Sequence, residues 1–88
     1  MGYTKPMKCD QELLHRVKRL EGQLTGIRKM METSNACQDL VIQLKAVRAN
    51  IDKTISILTT KNLQQVMEVH PEDAEKFQDA LDLIVKSR

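Results

Sequence analysis

Two cysteines, Cys9 and Cys37, are the residues of this sequence best suited to carry chemistry. A cysteine can attack an electrophile, be oxidised or bind a soft metal ion, and the thiolate is the reactive form in each case. Cys37 is predicted to open a helix, where the positive end of the helix dipole stabilises a nearby thiolate. The alternative for both cysteines is a thiol that packs as a small hydrophobic residue.

The two cysteines are predicted to lie at opposite ends of the first helix. At the usual helix rise they are about 35 to 40 Å apart, whereas a disulfide needs Cα atoms within about 7 Å. A bond within one chain is therefore excluded in this architecture. In an antiparallel dimer, the start of helix 1 in one chain can meet the start of helix 2 in the other, so Cys9 and Cys37 of different subunits are candidate partners.

Three predicted helices position these thiols. Apolar residues recur at alternating spacings of four and three in a heptad pattern, at Leu13, Val17, Leu20, Leu24, Ile27 and Met31. A second series follows with similar spacing, at Leu40, Leu44, Val47, Ile51, Ile55 and Leu58. The patterns predict helix 1 over residues 11–32, with Asp10 as its N-cap, and helix 2 over residues 37–67.

The two ends of the chain complete the prediction. Pro71 suits the first turn of a helix, and it predicts a short helix 3 over residues 72–86. Residues 1–9 are expected to form a flexible arm. The 88 residues are thus predicted to form one all-α domain, a three-helix protomer built on a long antiparallel hairpin.

A hairpin of this size leaves much of the apolar seam of each helix uncovered. By seam we mean the stripe formed by the heptad-spaced apolar residues of one helix. An exposed apolar stripe of that length exceeds the few hundred Å² that monomers usually tolerate. We therefore expect the chain to self-associate, two hairpins forming a four-helix bundle and helix 3 contacting further subunits.

Composition excludes several classes of protein. Charged residues make up 30% of the chain and leave a formal net charge of only +2, so any nucleic-acid binding must depend on where the cations lie. We find no membrane-spanning run and no signal peptide, and we expect a cytoplasmic protein. The sequence holds no nucleophile–base pair, nucleotide loop or carboxylate pair that indicates an enzyme.

Some basic residues form a pattern. On a helical wheel Arg16, Arg19 and Gln23 share one flank of the helix 1 seam, whereas the cations of helix 2 are more scattered, at Lys45, Arg48 and Lys53. A solvated surface of helix-favouring charges is one interpretation. The other is a patch that oligomeric symmetry repeats into a basic surface for the phosphates of double-stranded DNA.

The sequence also resembles a known family. The stretch RVKRLEGQLTGI at residues 16–27, with Cys37 fifteen residues after Gly22 and QLKAV at residues 43–47, is similar to the copper-sensitive-operon repressors. That family also includes nickel or cobalt, formaldehyde and persulfide sensors. The resemblance covers residues 8–86.

The resemblance implies a repressor that binds operator DNA as a disc-shaped tetramer, a dimer of dimers, and releases it when an inducer reacts between subunits. It implies that Arg16 and Lys53 contact the operator, that Arg19 and Gln23 belong to the same surface, and that Cys37 is the sensor cysteine.

The sequence departs from this pattern at the metal ligands. Copper sensors of the family add a histidine and a second cysteine late in helix 2, where this chain has Asn62 and Val66. Val66 has no donor atom for Cu(I), and the persulfide sensors also place their second cysteine there. His15 and His70 do not match the extra histidines of the nickel and cobalt sensors. The usual copper site is therefore absent, and no cofactor is predicted.

These departures favour a thiol-based sensor. We expect Cys37 to attack a small thiol-reactive inducer, either a reactive sulfur species or an electrophile such as an aldehyde or quinone, and Cys9 of a neighbouring chain to resolve the product. One alternative is a metal-responsive repressor with a non-standard site that includes Cys37 and Cys9. The other is a helical oligomeric interaction module that does not bind DNA.

Overall fold

A computed structural model of the chain describes residues 8–33 and 36–88, with only the backbone for residues 8–10. The chain forms three α-helices, and the described residues contain no β-strand. Helix α1 spans Lys8–Glu32, α2 spans Cys37–Val69 and α3 spans Ala74–Lys86. The all-α fold class is confirmed. Most of the predicted arm, residues 1–7, lies outside the described residues.

Helix α1 begins three residues before its predicted start. No proline or glycine occurs between Lys8 and Glu12, so nothing in the local sequence stops the helix from extending back. Asp10 consequently lies in the first turn, and it is not the N-cap that the sequence predicted. Cys9 likewise belongs to the first turn of α1 and not to an arm.

Hydrogen bonds at the connection between α1 and α2 explain where α1 ends and where α2 begins. The Thr33 hydroxyl donates to the carbonyls of Lys29, at 3.0 Å, and Met30, at 3.2 Å, which satisfies groups that the helix leaves without intrahelical partners. At the start of α2, the Ala36 carbonyl accepts from the backbone N–H groups of Asp39 and Leu40. Cys37 is therefore the first residue of α2.

Helix α3 begins two residues later than predicted, because Asp73 is its N-cap. The Asp73 side chain accepts a hydrogen bond from the backbone N–H of Lys76 at 3.0 Å. Pro71 lies in the connection between α2 and α3, where it disfavours helical geometry at His70, the residue before it. This preference also accounts for the end of α2 at Val69.

The single predicted domain divides into two compact units, Met1–Ile51 and Asp52–Arg88. The first unit contains α1 and the beginning of α2, and the second contains the rest of α2 and α3. The boundary falls inside α2, which continues through it as one helix. Within the described residues, no helix has the length and apolar character needed to cross a membrane.

The buried core is thin. Of the described apolar residues, four are classed as buried, at Leu13, Ile27, Val47 and Ala80. Two threonines are also buried, and the hydroxyl of one of them, Thr59, donates to the Ser56 carbonyl at 3.1 Å. Such a core provides little hydrophobic stabilisation for 88 residues.

Each predicted heptad seam consists of a buried or half-buried set of residues and an exposed set. On α1, Leu13 and Ile27 are buried and Leu20 is half-buried, whereas Val17 is 44% exposed and Met31 is 62% exposed. On α2, Val47 is buried and Leu40 half-buried, and the exposed series is Leu44, Ile51 and Leu58. One half of each seam thus packs within the chain and the other half does not.

Candidate functional site

The first candidate surface is the polar flank of α1. Arg19 is exposed, whereas Arg16 and Gln23 are half-buried at the border of the inward face. The Gln23 side chain contacts α2, where its Oε1 accepts a hydrogen bond from Asn50 Nδ2 at 3.1 Å. The three predicted residues therefore share one side of α1, and the Gln23 side chain is held by the neighbouring helix.

This hydrogen bond identifies one edge of the helix pair in the first unit. We call it the polar edge, and it consists of Arg16, Arg19, Gln23 and Asn50.

Exposed apolar residues lie on the other side of both helices. On α1, the inward-facing Leu20 lies between Gln23 on one side and the exposed Leu24 on the other. On α2, the buried Val47 lies in the same way between Asn50 and the exposed Ile51. Because the helices are antiparallel, both exposed series lie at the opposite edge.

We call that opposite edge the apolar edge, and in the first unit it consists of Val17, Leu24, Met31, Leu44 and Ile51. All of these side chains are at least 40% exposed. They continue the heptad spacing along both helices, which is the pattern of a helix bundle seam. Two surfaces of different chemistry therefore flank the buried seam.

The candidate cations of α2 separate around its axis. Lys53 follows Asn50 by three residues, which places it about 60° away, on the same side of the helix. Arg48 and Lys45 lie about 160° and 140° from Asn50. All three are exposed. Lys53 is therefore grouped with Asn50 on α2, and Arg48 and Lys45 are not.

Among the cations whose side chains the structure describes, few are neutralised by an ion pair. Among the described residues, the ion pair that forms joins Arg28 and Glu32, at 3.3 Å on the exposed surface of α1. The side chains of Arg16, Arg19 and Lys53 are not part of it. Their charges are consequently available to an external polyanion.

Cys37 is exposed and carries a free thiol. It occupies the first position of α2, as the sequence predicted, so it lies at the positive end of the helix dipole. The Cys9 backbone is in the first turn of α1, and its side chain lies outside the described part of the structure. The predicted pairing of Cys9 with Cys37 of another chain stays a prediction.

Positions 62 and 66 line a cavity of about 450 Å³ in the second unit. Its wall combines apolar and polar side chains from α2 and α3, with His70, Lys76 and Asp79 at the polar part. Nothing in the sequence pattern indicated this cavity, because it depends on how α3 folds back against the end of α2.

The described residues do not form a metal site by themselves. No group of three or more histidine, cysteine, aspartate or glutamate side chains in the described part of the chain is arranged to hold a metal ion. Val66 in the cavity has no donor atom, and His15 and His70 are exposed.

Asn50 is the site residue that sequence reasoning missed. It lies three residues after Val47 and four before Thr54, both of which are buried, so the helical period places it at the inward face. That spacing was visible in the sequence. Its partner Gln23 was not, because pairing between helices depends on their register.

Comparison with known proteins gives a consistent result. A family model described as metal-sensitive transcriptional repressor matches residues 10–86. The copper-sensing transcriptional repressor CsoR of Bacillus subtilis (strain 168) is 40% identical over 45 residues, which are 51% of this chain and 45% of that protein. The chain thus matches less than half the length of this relative.

Two further relatives align over more of their length. The uncharacterized protein YrkD of Bacillus subtilis (strain 168) is 36% identical over 63 residues, 67% of this chain and 100% of that protein. The transcriptional repressor RcnR of Citrobacter koseri is 26% identical over 86 residues, 98% of this chain and 92% of that protein. No solved structure matches the chain significantly.

Proposed function

Because this chain belongs to the family of metal-sensitive transcriptional repressors, we propose that it binds operator DNA as an oligomer and releases it when an inducer acts at Cys37. The family consists of repressors and not of enzymes. The observation that carries the proposal is the separation of a polar edge and an apolar edge on either side of the same helix pair. The apolar edge suits self-association and the polar edge suits DNA binding, the two interactions that the proposed function needs.

The apolar edge suits a second copy of the chain. Its side chains are too exposed, and its heptad series too long, for a stable monomer. A symmetric partner would cover the edge with an identical edge and form a four-helix bundle. A dimer of such dimers is the tetramer that the sequence predicted.

The polar edge suits DNA phosphates. Arginine and lysine side chains on a rigid helix displace counterions from the phosphate backbone, and each such contact makes binding more sensitive to salt. The first unit of one protomer contributes Arg16 and Arg19, and the second unit holds the exposed Lys53, which the resemblance also assigns to the operator. Repetition in an oligomer multiplies this small set into an extended basic surface.

We propose a thiol reaction as the first mechanism of induction. The Cys37 thiolate attacks a sulfane sulfur of a polysulfide, which leaves Cys37 as a persulfide and shortens the polysulfide by one sulfur. The thiolate of Cys9 from another protomer then attacks the Cys37 sulfur, forms the Cys9–Cys37 disulfide and releases hydrosulfide. The exposure of Cys37 and its place at the start of α2 support the first step.

A metal ion is the second candidate inducer, and the description of the matching family favours it. The ligands would come from more than one protomer, with Cys37 as a soft thiolate donor. The described residues of one chain hold no group of three or more histidine, cysteine, aspartate or glutamate side chains arranged for a metal ion.

Gel-shift titration with the promoter DNA of its own gene tests the repressor function. We expect the wild type to bind with a steep dependence on salt, and Arg16→Ala to weaken binding and reduce that dependence. Lys29→Ala is the matched control, because Lys29 is exposed on the other side of the same helix. Equal affinities for the two variants, or no binding by the wild type, would contradict the proposal.

The same assay identifies the inducer. Pre-bound complexes are treated with polysulfide under anaerobic conditions or with Cu(I), for wild type and Cys37→Ala. Release by polysulfide alone supports the thiol mechanism, and release by Cu(I) with stoichiometric tight binding supports the metal mechanism. If Cys37→Ala still releases DNA with both agents, neither mechanism operates through Cys37.

A further inference from the structure

A pair of carboxamides joins α1 to α2 beside buried apolar residues of both helices. Asn50 Nδ2 donates to Gln23 Oε1 at 3.1 Å, and both side chains are half-buried. On α1 the buried Ile27 follows Gln23 by one turn, and on α2 the buried Val47 precedes Asn50 by three residues. The hydrogen bond thus has buried neighbours, Ile27 and Val47, whose apolar contacts are not directional.

Apolar contacts alone define the register of two helices poorly. Leucine, isoleucine and valine recur at heptad spacing on both helices, so a shift by one turn would bring similar side chains into contact. A buried polar pair behaves differently, because separating it leaves donors and acceptors without partners at a cost of about 1–3 kcal/mol. A single asparagine in a helix seam can fix register for this reason.

The register of the two helices decides where Arg16 and Arg19 of α1 lie relative to α2. Arg19 precedes Gln23 by four residues, about 6 Å along α1, and a slip of one turn would displace α1 by about 5.4 Å relative to α2. That displacement exceeds the rise of about 3.4 Å between successive phosphates of one DNA strand. Because the apolar edge proposed to join protomers includes Leu44 and Ile51 of α2, a slipped hairpin would change the distance between the arginines of one protomer and those of the next.

We propose that Asn50 is a positioning residue for DNA binding: its hydrogen bond holds the Gln23 side chain and fixes the register of α1 on α2, so that Arg16 and Arg19 of one protomer keep a fixed spacing from those of the next. This inference rests on the repressor function proposed above. The Asn50 side chain reaches α1, where it donates to Gln23, so the proposed role of Asn50 is to position other side chains. Its effect is transmitted through Gln23.

Two single variants separate positioning from plain stabilisation. Asn50→Leu replaces the amide by an apolar group of similar size, which suits the seam and preserves folding and assembly while removing the hydrogen bond. Val47→Ala keeps the hydrogen bond and removes buried methyl groups, which lowers stability. We expect Asn50→Leu to weaken promoter binding about 10-fold or more, with an unchanged oligomer mass and a melting temperature no lower than that of Val47→Ala.

The control has the opposite profile. Val47→Ala melts at a lower temperature than the wild type but, well below that temperature, binds the promoter with wild-type affinity. A rescue variant, Gln23→Asn together with Asn50→Gln, keeps both carboxamides and their combined length, and we expect it to restore at least part of the affinity lost in Asn50→Leu.

Gel-shift titration and thermal melting of the full chain decide between the outcomes. Wild-type affinity in Asn50→Leu, or a loss of affinity that simply follows a loss of oligomer mass, overturns the positioning role and leaves the repressor function intact. Absence of promoter binding by the wild type overturns the repressor function itself, and the inference with it.

Discussion

Leu24 and Ile27 lie three residues apart on α1, yet Leu24 is 47% exposed and Ile27 only 4%. Both belong to the same heptad pattern, and both are aliphatic side chains of equal size. The difference arises because one helix partner can cover only half of a seam. The exposed half, which includes Leu24, is consequently the part of α1 that another protomer can cover.

Leu24→Glu should disrupt self-association. A carboxylate at the centre of the apolar edge would lose its hydration in the bundle without a partner charge, so we expect a smaller oligomer by light scattering. Thr25→Glu is the matched control, since Thr25 is exposed on another side of the same turn. An unchanged mass for Leu24→Glu would show that the apolar edge is not the subunit interface.

Lys53 and Arg48 should differ in their effect on DNA binding. Lys53 shares a side of α2 with Asn50, and Arg48 lies on nearly the opposite side. We expect Lys53→Ala to lower promoter affinity and to reduce the dependence on salt, with Arg48→Ala close to wild type. Fluorescence anisotropy at several salt concentrations measures both effects. The reverse ranking would assign the DNA surface to the other side of α2.

Polysulfide should link protomers through Cys9 and Cys37. Under nonreducing conditions we expect a covalent dimer whose digest contains the Cys9–Cys37 peptide pair, identified by mass spectrometry. Cys9→Ser removes the resolving thiol, so this variant should retain a persulfide on Cys37 and form no such link. A dimer linked through Cys37 alone would argue against a resolving role for Cys9.

Asp73→Ala should destabilise α3. The variant removes the acceptor for the Lys76 backbone N–H, and loss of such a cap costs about 1 kcal/mol. We expect a lower melting temperature by circular dichroism. Asp73→Asn keeps a capping oxygen and should remain near the wild type. If both variants melt alike and well below the wild type, the loss of negative charge, and not the cap, explains the change.

The sequence by itself determined the three helices and most of their extent. Heptad spacing over residues 13–31 and 40–58 is too regular for another element, and the residues that mark the turns bracket it. It also identified Cys37 as the first residue of α2, because the start of a helix depends mainly on neighbouring residues. The start of α3 was less well predicted, since both Pro71 and Asp73 can begin a helix and the side-chain hydrogen bond selects Asp73.

Only the tertiary structure decided how each seam is used. Leu24 and Ile27 are equivalent in a hydrophobic pattern, and packing against one particular neighbour buries one and exposes the other. The pairing of Gln23 with Asn50 was likewise hidden, because it joins residues 27 positions apart whose meeting depends on the register of two helices. Local patterns determine helices, whereas register and edges arise from contacts between them, and those contacts distinguish the proposed DNA surface from the proposed subunit interface.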